Sequence, residues 1–408
     1  MKVLLVAPNV SQKMGGEAII PFHYARELSQ SGHDVTILTH ERVREELTAT
    51  KPAPDVKIKY VSDTWAEKTA HKIGQMVPPA IAETVFGSIV LFLTMVSLGK
   101  EAKAMHRIEK YDVLHQPTPV SPQMPSFLKA TDAPVLIGPM NGAMTYPPAF
   151  AHEYSSGTNF FVGVARGMSG IANVIGTGKK MAARLLVANS RTSAGVTHLV
   201  QNASQIETLV ENGVDLGLWK QSTLDRYETP TFVFVGRHIR LKAIDLLLEA
   251  FEKVDGPATL KIFGDGPERA SLEEHAKNID SQEKKIEFLG FQPQSEIAVE
   301  LSRSTALVLP SLRECGGAVV LEAFACGTPA IATDWGGPSD YITPGTGILV
   351  PPTTKSEFVD GLAGAMNQLA GNREKTLAMG KAARQLVEEN YSWRAKAEKM
   401  SAIYKAVG

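Results

Sequence analysis

The chain has only two cysteines, Cys315 and Cys326, among 408 residues. They lie close together and offer neither a disulfide framework nor a metal-ligand spacing, so a reducing cytoplasm is their natural setting. No G-x-G-x-x-G opens a helix after a strand, which disfavours a dinucleotide-dependent dehydrogenase, and no D-x-D sits at a strand end. A formal net charge of −1 leaves no global basic field and argues against nucleic acid as the main partner. Long apolar runs are also missing. The uncharged apolar stretch Thr84 to Gly99 has sixteen residues, short of the roughly 20 needed to span a bilayer. Followed by Lys100, Lys103, Arg107 and Lys110, it reads as a buried helix or one lying at a membrane surface. The opening MKVLLVAPNV is too short an apolar run for a signal peptide and reads as a buried first strand.

What is present is an α/β alternation. Apolar content of 44% and charged content of 21% suit a globular chain, and its length suits two domains. Lys2 to Ala7 reads as a strand, Ala18 to Gln30 as a helix and Asp34 to Thr39 as the next strand, a unit that builds a parallel sheet. Further strands are expected at Val56 to Val61, Val113 to His115, Pro134 to Ile137 and Leu185 to Ala188. Ligand residues belong at the carboxyl ends of such strands, which places Gly15, Gly16, His115, Asn141 and Gly142 on one rim. Glu207 to Leu218, with its turn Asn212-Gly213-Val214-Asp215, and the polar stretch Lys220 to Pro230 carry no core periodicity and read as a hinge. Six more strands follow at short spacing: Thr231 to Val235, Thr259 to Phe263, Ile286 to Leu289, Ala306 to Leu309, Ala330 to Thr333 and Gly347 to Val350. The fold class is α/β, two Rossmann-like doubly wound domains, with boundaries at 1–215 and 216–388.

The chemistry gathers in the second half. Between two buried strands, Ser311 to Gly337 carries Glu314, the step Gly316-Gly317 and a helix from Ala318 to Cys326, which Gly327 and Pro329 terminate. Glycines at a helix start let N–H groups approach an anion, and the helix dipole adds positive charge there, so Gly316, Gly317, Ala318 and Val319 form a phosphate seat. Glu322 sits in the apolar helix VVLEAFAC, where an unpaired charge is costly, and with Glu314 it can accept sugar or ribose hydroxyls. Gly236-Arg237 ends a strand, with Lys242 five positions on: a close backbone, a planar fork and a point charge, as a diphosphate needs. Gly264-Asp265-Gly266-Pro267 and Gly290-Phe291 end two further strands and could meet a flat ring. On the residues alone, a structurally paired Arg237 and solvated Lys242, Glu314 and Glu322 stay open.

Glu314 and Glu322 match the E-x7-E motif, and the stretch around them resembles the nucleotide-sugar signature of family 4 of the retaining GT-B glycosyltransferases, in the glycosyl transferases group 1. Gly236, Arg237 and Lys242 resemble the family's G-R-x4-K-G, with Ala243 in place of the last glycine. Cys315-Gly316 replaces a common Phe-Gly, so contacts of that aromatic do not carry over. N-G-V-D is similar at the hinge, D-V-x-H at His115 and a glycine-rich loop at Gly15-Gly16. Asn141 stands near where many members show a histidine, and it cannot take a proton near pH 7. His238 and Arg240, between the matched cations, are expected to face outward.

The resemblance implies a GT-B fold with two domains facing a central cleft, the final segment 389–408 crossing back to the first. It implies a retaining transfer from a nucleoside-diphosphate sugar, UDP- or GDP-linked, to a hydroxyl. Arg237, Lys242 and Glu314 would be catalytic; Gly15, Gly16, Gly236, Gly264, Asp265, Gly290, Phe291, Gly316 to Val319 and Glu322 would bind the donor. His115, Asn141 and Gly142 would face the acceptor, as would Pro117 to Pro125 and Asn141 to Phe150. No cofactor or metal is called for. A lipid-linked or cell-envelope glycan acceptor suits the 84–99 helix, and with it a cytoplasmic location peripheral to the inner membrane face. A nucleotide-sugar 2-epimerase of the same fold and a non-catalytic nucleotide-sugar-binding protein are the competing readings; a two-carboxylate glycoside hydrolase would leave the cationic seat without purpose.

Overall fold

The computed structural model describes residues 1–77, 82–154 and 176–408. The chain divides into two compact units. One is Met1–Ala143 with Thr158–Glu211 and Lys396–Gly408; the other is Met144–Gly157 with Asn212–Ala395.

The first unit is built on a seven-stranded parallel sheet: β1 (Lys2–Val6), β2 (Asp34–His40), β3 (Lys57–Val61), β4 (Val113–Gln116), β5 (Val135–Met140), β6 (Arg184–Val187) and β7 (Ile206–Thr208), in the order β3-β2-β1-β4-β5-β6-β7. The central strands are buried along their length, which is why they read as continuous apolar runs. The apolar stretch after Thr84 lies in the 23-residue helix Gly87–Glu109, which buries Thr94, Met95, Leu98, Ala102 and Met105. Met95, Leu98, Ala102 and Met105 share one core with Leu4, Val6, Leu114 and Ile137. Its first two turns are only partly covered. Among the described residues no helix is long and apolar enough to cross a membrane. The final helix, Trp393–Val407, gives its residues from Lys396 onward to this unit, where Met400 and Tyr404 are fully buried.

The second unit has a six-stranded parallel sheet: β8 (Thr231–Val235), β9 (Ala258–Phe263), β10 (Lys284–Gly290), β11 (Ala306–Leu309), β12 (Ala330–Thr333) and β13 (Gly347–Val350), in the order β10-β9-β8-β11-β12-β13. Every pair is parallel, so the loops leaving β8, β9, β10 and β11 emerge along one edge.

Two stretches sit differently from their expected places. Ile206–Thr208, at the start of the supposed hinge, is a seventh strand paired to β6 with Leu185 opposite Ile206; three residues are too few to show a period in sequence. The unit break falls between Glu211 and Asn212, and Met144–Gly157 belongs with the second unit. Within that unit Trp335 Nε1 donates to the Thr145 carbonyl at 2.9 Å and Phe150 meets Phe358 edge-on at 5.8 Å.

Candidate functional site

Three loops at the carboxyl edge of the second sheet are laced by their backbones. Gly236 N–H donates to Phe263 O (3.1 Å), Gly264 N–H to Gly290 O (2.8 Å) and His238 N–H to Asp265 O (2.9 Å). The close approach requires glycine at 264: φ is +110° and a Cβ there would lie 2.0 Å from the Gly236 carbonyl oxygen. This lacing accounts for the one side chain of the G-R-x4-K stretch that sits differently from expectation. His238 is fully buried, its ring held edge-on to Phe288 at 6.0 Å, because its backbone bonds to Asp265 and to Glu268 N–H turn the side chain inward. Burial, then the charge of Arg269, pushes its pKa down. Arg237 instead is exposed and has no carboxylate partner among the described residues. Arg240 faces solvent too.

Lys242 reaches back, its Cε 3.9 Å from where a Gly236 Cβ would be, and its ammonium pairs directly with Glu314. Lys242 and Glu314 are therefore joined, not separately solvated. Ala243, where the resembled motif has glycine, is buried in the left-handed region with φ 49° and ψ 45°.

Glu314 opens the loop that ends at Gly317, whose left-handed backbone (φ 59°, ψ 46°) starts the helix Ala318–Ala325 with no side-chain cap. The first N–H groups of that helix are thus left to an incoming acceptor. The loop is braced from behind: Gly337 N–H donates to Glu314 O at 3.0 Å, and Arg313 lies 5.6 Å from the Tyr146 ring. Tyr146 and Thr145 are brought by Arg313 and Trp335 beside the carboxyl edge of the second sheet, although their sequence position suggested the first domain. Glu322, a turn further along, is half-buried, and burial pushes its carboxyl up to about 7. Asp265 spends its carboxylate on Gly266 N–H (2.7 Å) and Arg269 (3.3 Å), and Phe291 projects an 88% exposed ring.

In the first unit, Gly15 and Gly16 both have positive φ and open space around them. Sequence reasoning missed what holds their loop. Glu46 accepts from Ser11 Oγ (2.6 Å), Gln12 N–H (2.8 Å) and Lys13 N–H (2.9 Å). Burial alone would raise its pKa; those donors outweigh it and hold it below the ordinary value. Glu17, next to Gly16, accepts from Val120 N–H at 2.8 Å, and burial outweighs that bond and raises its pKa.

His115 is not on the rim. It is fully buried, with Nε2 2.6 Å from the Gly138 carbonyl and Nδ1 2.6 Å from the Tyr404 hydroxyl. Nε2 must carry the proton, so Nδ1 accepts from Tyr404, and burial lowers the pKa to about 4. Both nitrogens are spent on the core, because β4 is central and covered by the last helix. Asn141 is also buried: Nδ2 donates to Glu211 Oε1 at 2.8 Å, and Gly142 N–H donates to Thr192 Oγ1 at 3.1 Å. Lys396 stands near Glu211, donates to the Val210 carbonyl and has its pKa lowered by burial to about 7.

His40, Asp63 and Glu67 place ligand-type atoms within 4.8 Å of one another. Their hydrogen bonds do not suit a metal. His40 Nδ1 accepts from Arg42 N–H (3.2 Å) and Nε (3.0 Å), which puts the ring proton on Nε2, 3.1 Å from Asp63. Glu67 is taken by Thr64 and Thr94. Beside this network is a 640 Å³ pocket that no motif announced. It is lined by Asn9, Arg42 and Gln75 and by apolar Phe86, Val90 and Leu91; Asn9 Oδ1 is buried with no hydrogen-bond partner among the described residues.

Residues 218–386 match the family described as glycosyl transferases group 1. The chain is 32% identical over 180 residues to N-acetyl-alpha-D-glucosaminyl L-malate synthase of Bacillus anthracis, a match covering 43% of this chain and 44% of that protein. It spans between 22% and 56% of the length of the first curated relatives it matches. Among solved structures, sucrose-phosphate synthase of Thermosynechococcus elongatus superposes with a TM-score of 0.66 at 21% identity, over 100% of this chain and 99% of that one. HepE of Anabaena in complex with UDP and glucose superposes with a TM-score of 0.61 at 16% identity, over 100% of both chains. The match to the glycosyl transferases group 1 family lies within the second unit, and the chain has the GT-B fold.

Proposed function

We propose that the chain moves a sugar from a UDP- or GDP-linked donor to a hydroxyl acceptor with retention at the anomeric carbon, as a family 4 glycosyltransferase. The observation that carries this reading is the meeting, on one edge of one sheet, of the unpaired Arg237, the Lys242–Glu314 ion pair and the uncapped helix start at Gly317. Cations and amides meet the diphosphate; a carboxylate stands where the attached sugar would lie. The Anabaena structure holds UDP and glucose on a similar fold, in agreement with a nucleotide-sugar donor.

In the reaction, the bond from the anomeric carbon to the β-phosphate oxygen breaks while the acceptor oxygen approaches the same face. The acceptor proton passes to the leaving phosphoryl oxygen, which also retains the electron pair of the broken bond. Arg237, Lys242 and the helix start stabilise the developing charge, and Glu314 positions donor hydroxyls. Glu322 would hold the ribose diol. With that charge met by the protein, the step calls for no metal or cofactor. His115 supplies no base, since its ring is sealed in the core.

For the acceptor, the 640 Å³ pocket of the first unit combines Asn9 and Arg42 with apolar Phe86, Val90 and Leu91, a lining suited to an amphipathic molecule. A lipid-linked or cell-envelope glycan fits it, and the partly covered start of the helix Gly87–Glu109 with exposed Lys100, Lys103 and Arg107 further along fits attachment to the inner membrane face. The test is incubation of UDP- and GDP-sugars with and without polyprenyl-phosphate-linked sugars, with product linkage read by NMR. A new α-linkage from an α-linked donor is the expected product. A 2-epimerised nucleotide sugar formed without acceptor would replace this reading by the epimerase, and nucleotide binding without turnover on any acceptor by a binding protein.

A further inference from the structure

At the other edge of the second sheet lies a feature that the proposed transfer does not use. The residues just before β8 and β11, together with the start of the helix Arg373–Asn390, wall a recess of about 70 Å³. The strands are parallel and β8 has five residues, so this recess is about 16 Å from the donor edge.

Three guanidinium groups line it: Arg226, Arg303 and Arg373. None is paired with a carboxylate among the described residues; all are held by backbone carbonyls. Arg226 donates to Ser304 O (2.6 Å) and Gly327 O (2.5 Å), Arg303 Nε to Asp225 O (2.9 Å) and Arg373 to Tyr227 O (3.4 Å). Arg303 is further fixed by stacking over the Tyr227 ring at 4.2 Å. Glu300, on the helix that carries Arg303, is taken by Lys261 (2.6 Å) and the Tyr227 hydroxyl. That leaves Glu228, exposed to solvent, as the lone carboxylate of the lining. Burial, then the charge of Arg373, depresses the pKa of Arg226, so the like charges oppose one another.

Carbonyls fix the forks without neutralising them, and Arg is the cation whose planar fork matches a phosphoryl group. We propose that this recess is a binding site for a phosphoryl anion, separate from the donor seat. Its volume takes one phosphoryl group, so any organic part of the ligand lies outside. Arg384, on the same helix as Arg373, donates to the Ala325 carbonyl, the last residue of the helix that begins at the donor seat. Occupancy is therefore placed to bear on donor affinity.

The probe is inorganic phosphate, titrated calorimetrically at ionic strength held constant with chloride. Wild type and Arg237→Ala/Lys242→Ala are both expected to bind phosphate saturably at this recess, with one site left in the double variant. Arg373→Glu, a change at an exposed position, and Arg303→Gln are expected to weaken it roughly tenfold or more with unchanged thermal unfolding. A hexose phosphate that displaces phosphate identifies a phosphoester as the ligand; if it does not, phosphate itself is the ligand. Absence of saturable binding to wild type, equal affinity in Arg373→Glu, or loss of binding in Arg237→Ala/Lys242→Ala with retention in Arg373→Glu overturns the proposal.

Discussion

The Lys242 ammonium and the Glu314 carboxylate form an ion pair with side-chain exposures of 17% and 14%, and it ties the loop after β8 to the loop after β11. Each group holds the other in place before a donor arrives. In the proposed reaction a diphosphate would compete for Lys242 and the donor sugar for Glu314, which would link the two contacts energetically.

Lys242→Ala should lower kcat/KM about 100-fold, near 3 kcal/mol, as when a donor to a developing anion is lost. Because it also strands Glu314 without its partner, Lys242→Ala/Glu314→Gln should cost less than the sum of the single changes. Additive losses in a steady-state kinetic cycle would show that the pair does not act as a unit.

With Glu322 in its proposed place at the ribose diol, nucleotide binding should depend on pH. Its carboxyl is pushed up to about 7 by burial, and ribose hydroxyls donate to the ionised form. Binding should therefore release a proton below pH 7, and affinity for UDP or GDP should rise between about pH 6 and 8. Calorimetry in buffers of different ionisation enthalpy measures the proton directly. Glu322→Gln should abolish the release, and a wild type that takes up a proton would contradict the assignment.

For Glu46 the sign is opposite. Its folded pKa lies below the ordinary value, so its stabilisation is complete above the unfolded pKa near 4.5 and fades as pH falls through the folded pKa. Glu46→Ala should free residues 11–14, destabilise by about 1–2 kcal/mol and raise the donor KM while leaving kcat within a factor of a few. Denaturant titrations from pH 7 to 3 should show wild type converging on the variant as the solution is acidified. A constant gap across that range would rule out Glu46 as the anchor.

The candidate site on the second sheet was legible in the sequence as a set of neighbouring residues because its motifs are local. Gly236, Arg237 and Lys242 lie within one loop, Glu314 to Glu322 within one loop and helix, and strands such as Thr231–Val235 and Ala306–Leu309 agree with the structure residue for residue. What escaped depends on distant partners. His115 has the spacing of a rim residue, and only Tyr404, far along the chain, and Gly138 reveal it as core. His238 turns inward through bonds to Asp265 and Glu268 that no local pattern encodes. Thr145 and Tyr146 are claimed by Trp335 and Arg313, and the Arg226, Arg303 and Arg373 recess draws on three separate segments.

A pair of glycine substitutions separates close approach from backbone strain at the donor edge. Gly256 and Gly264 both have positive φ, +61° and +110°, but a Cβ at 256 meets nothing within 4 Å, whereas at 264 it falls 2.0 Å from the Gly236 carbonyl oxygen. Gly256→Ala should cost only the left-handed backbone, about 1 kcal/mol. Gly264→Ala should add the clash, about 3 kcal/mol or more in all. The surplus must be relieved by parting the loops after β8 and β9, which carry Arg237 and Asp265, so donor affinity should fall with stability at 264 and stay level at 256. Chemical denaturation with parallel UDP and GDP titrations tests both halves. Equal losses at the two positions would mean that the backbone lacing does not set the spacing of the loops that carry Arg237 and Asp265.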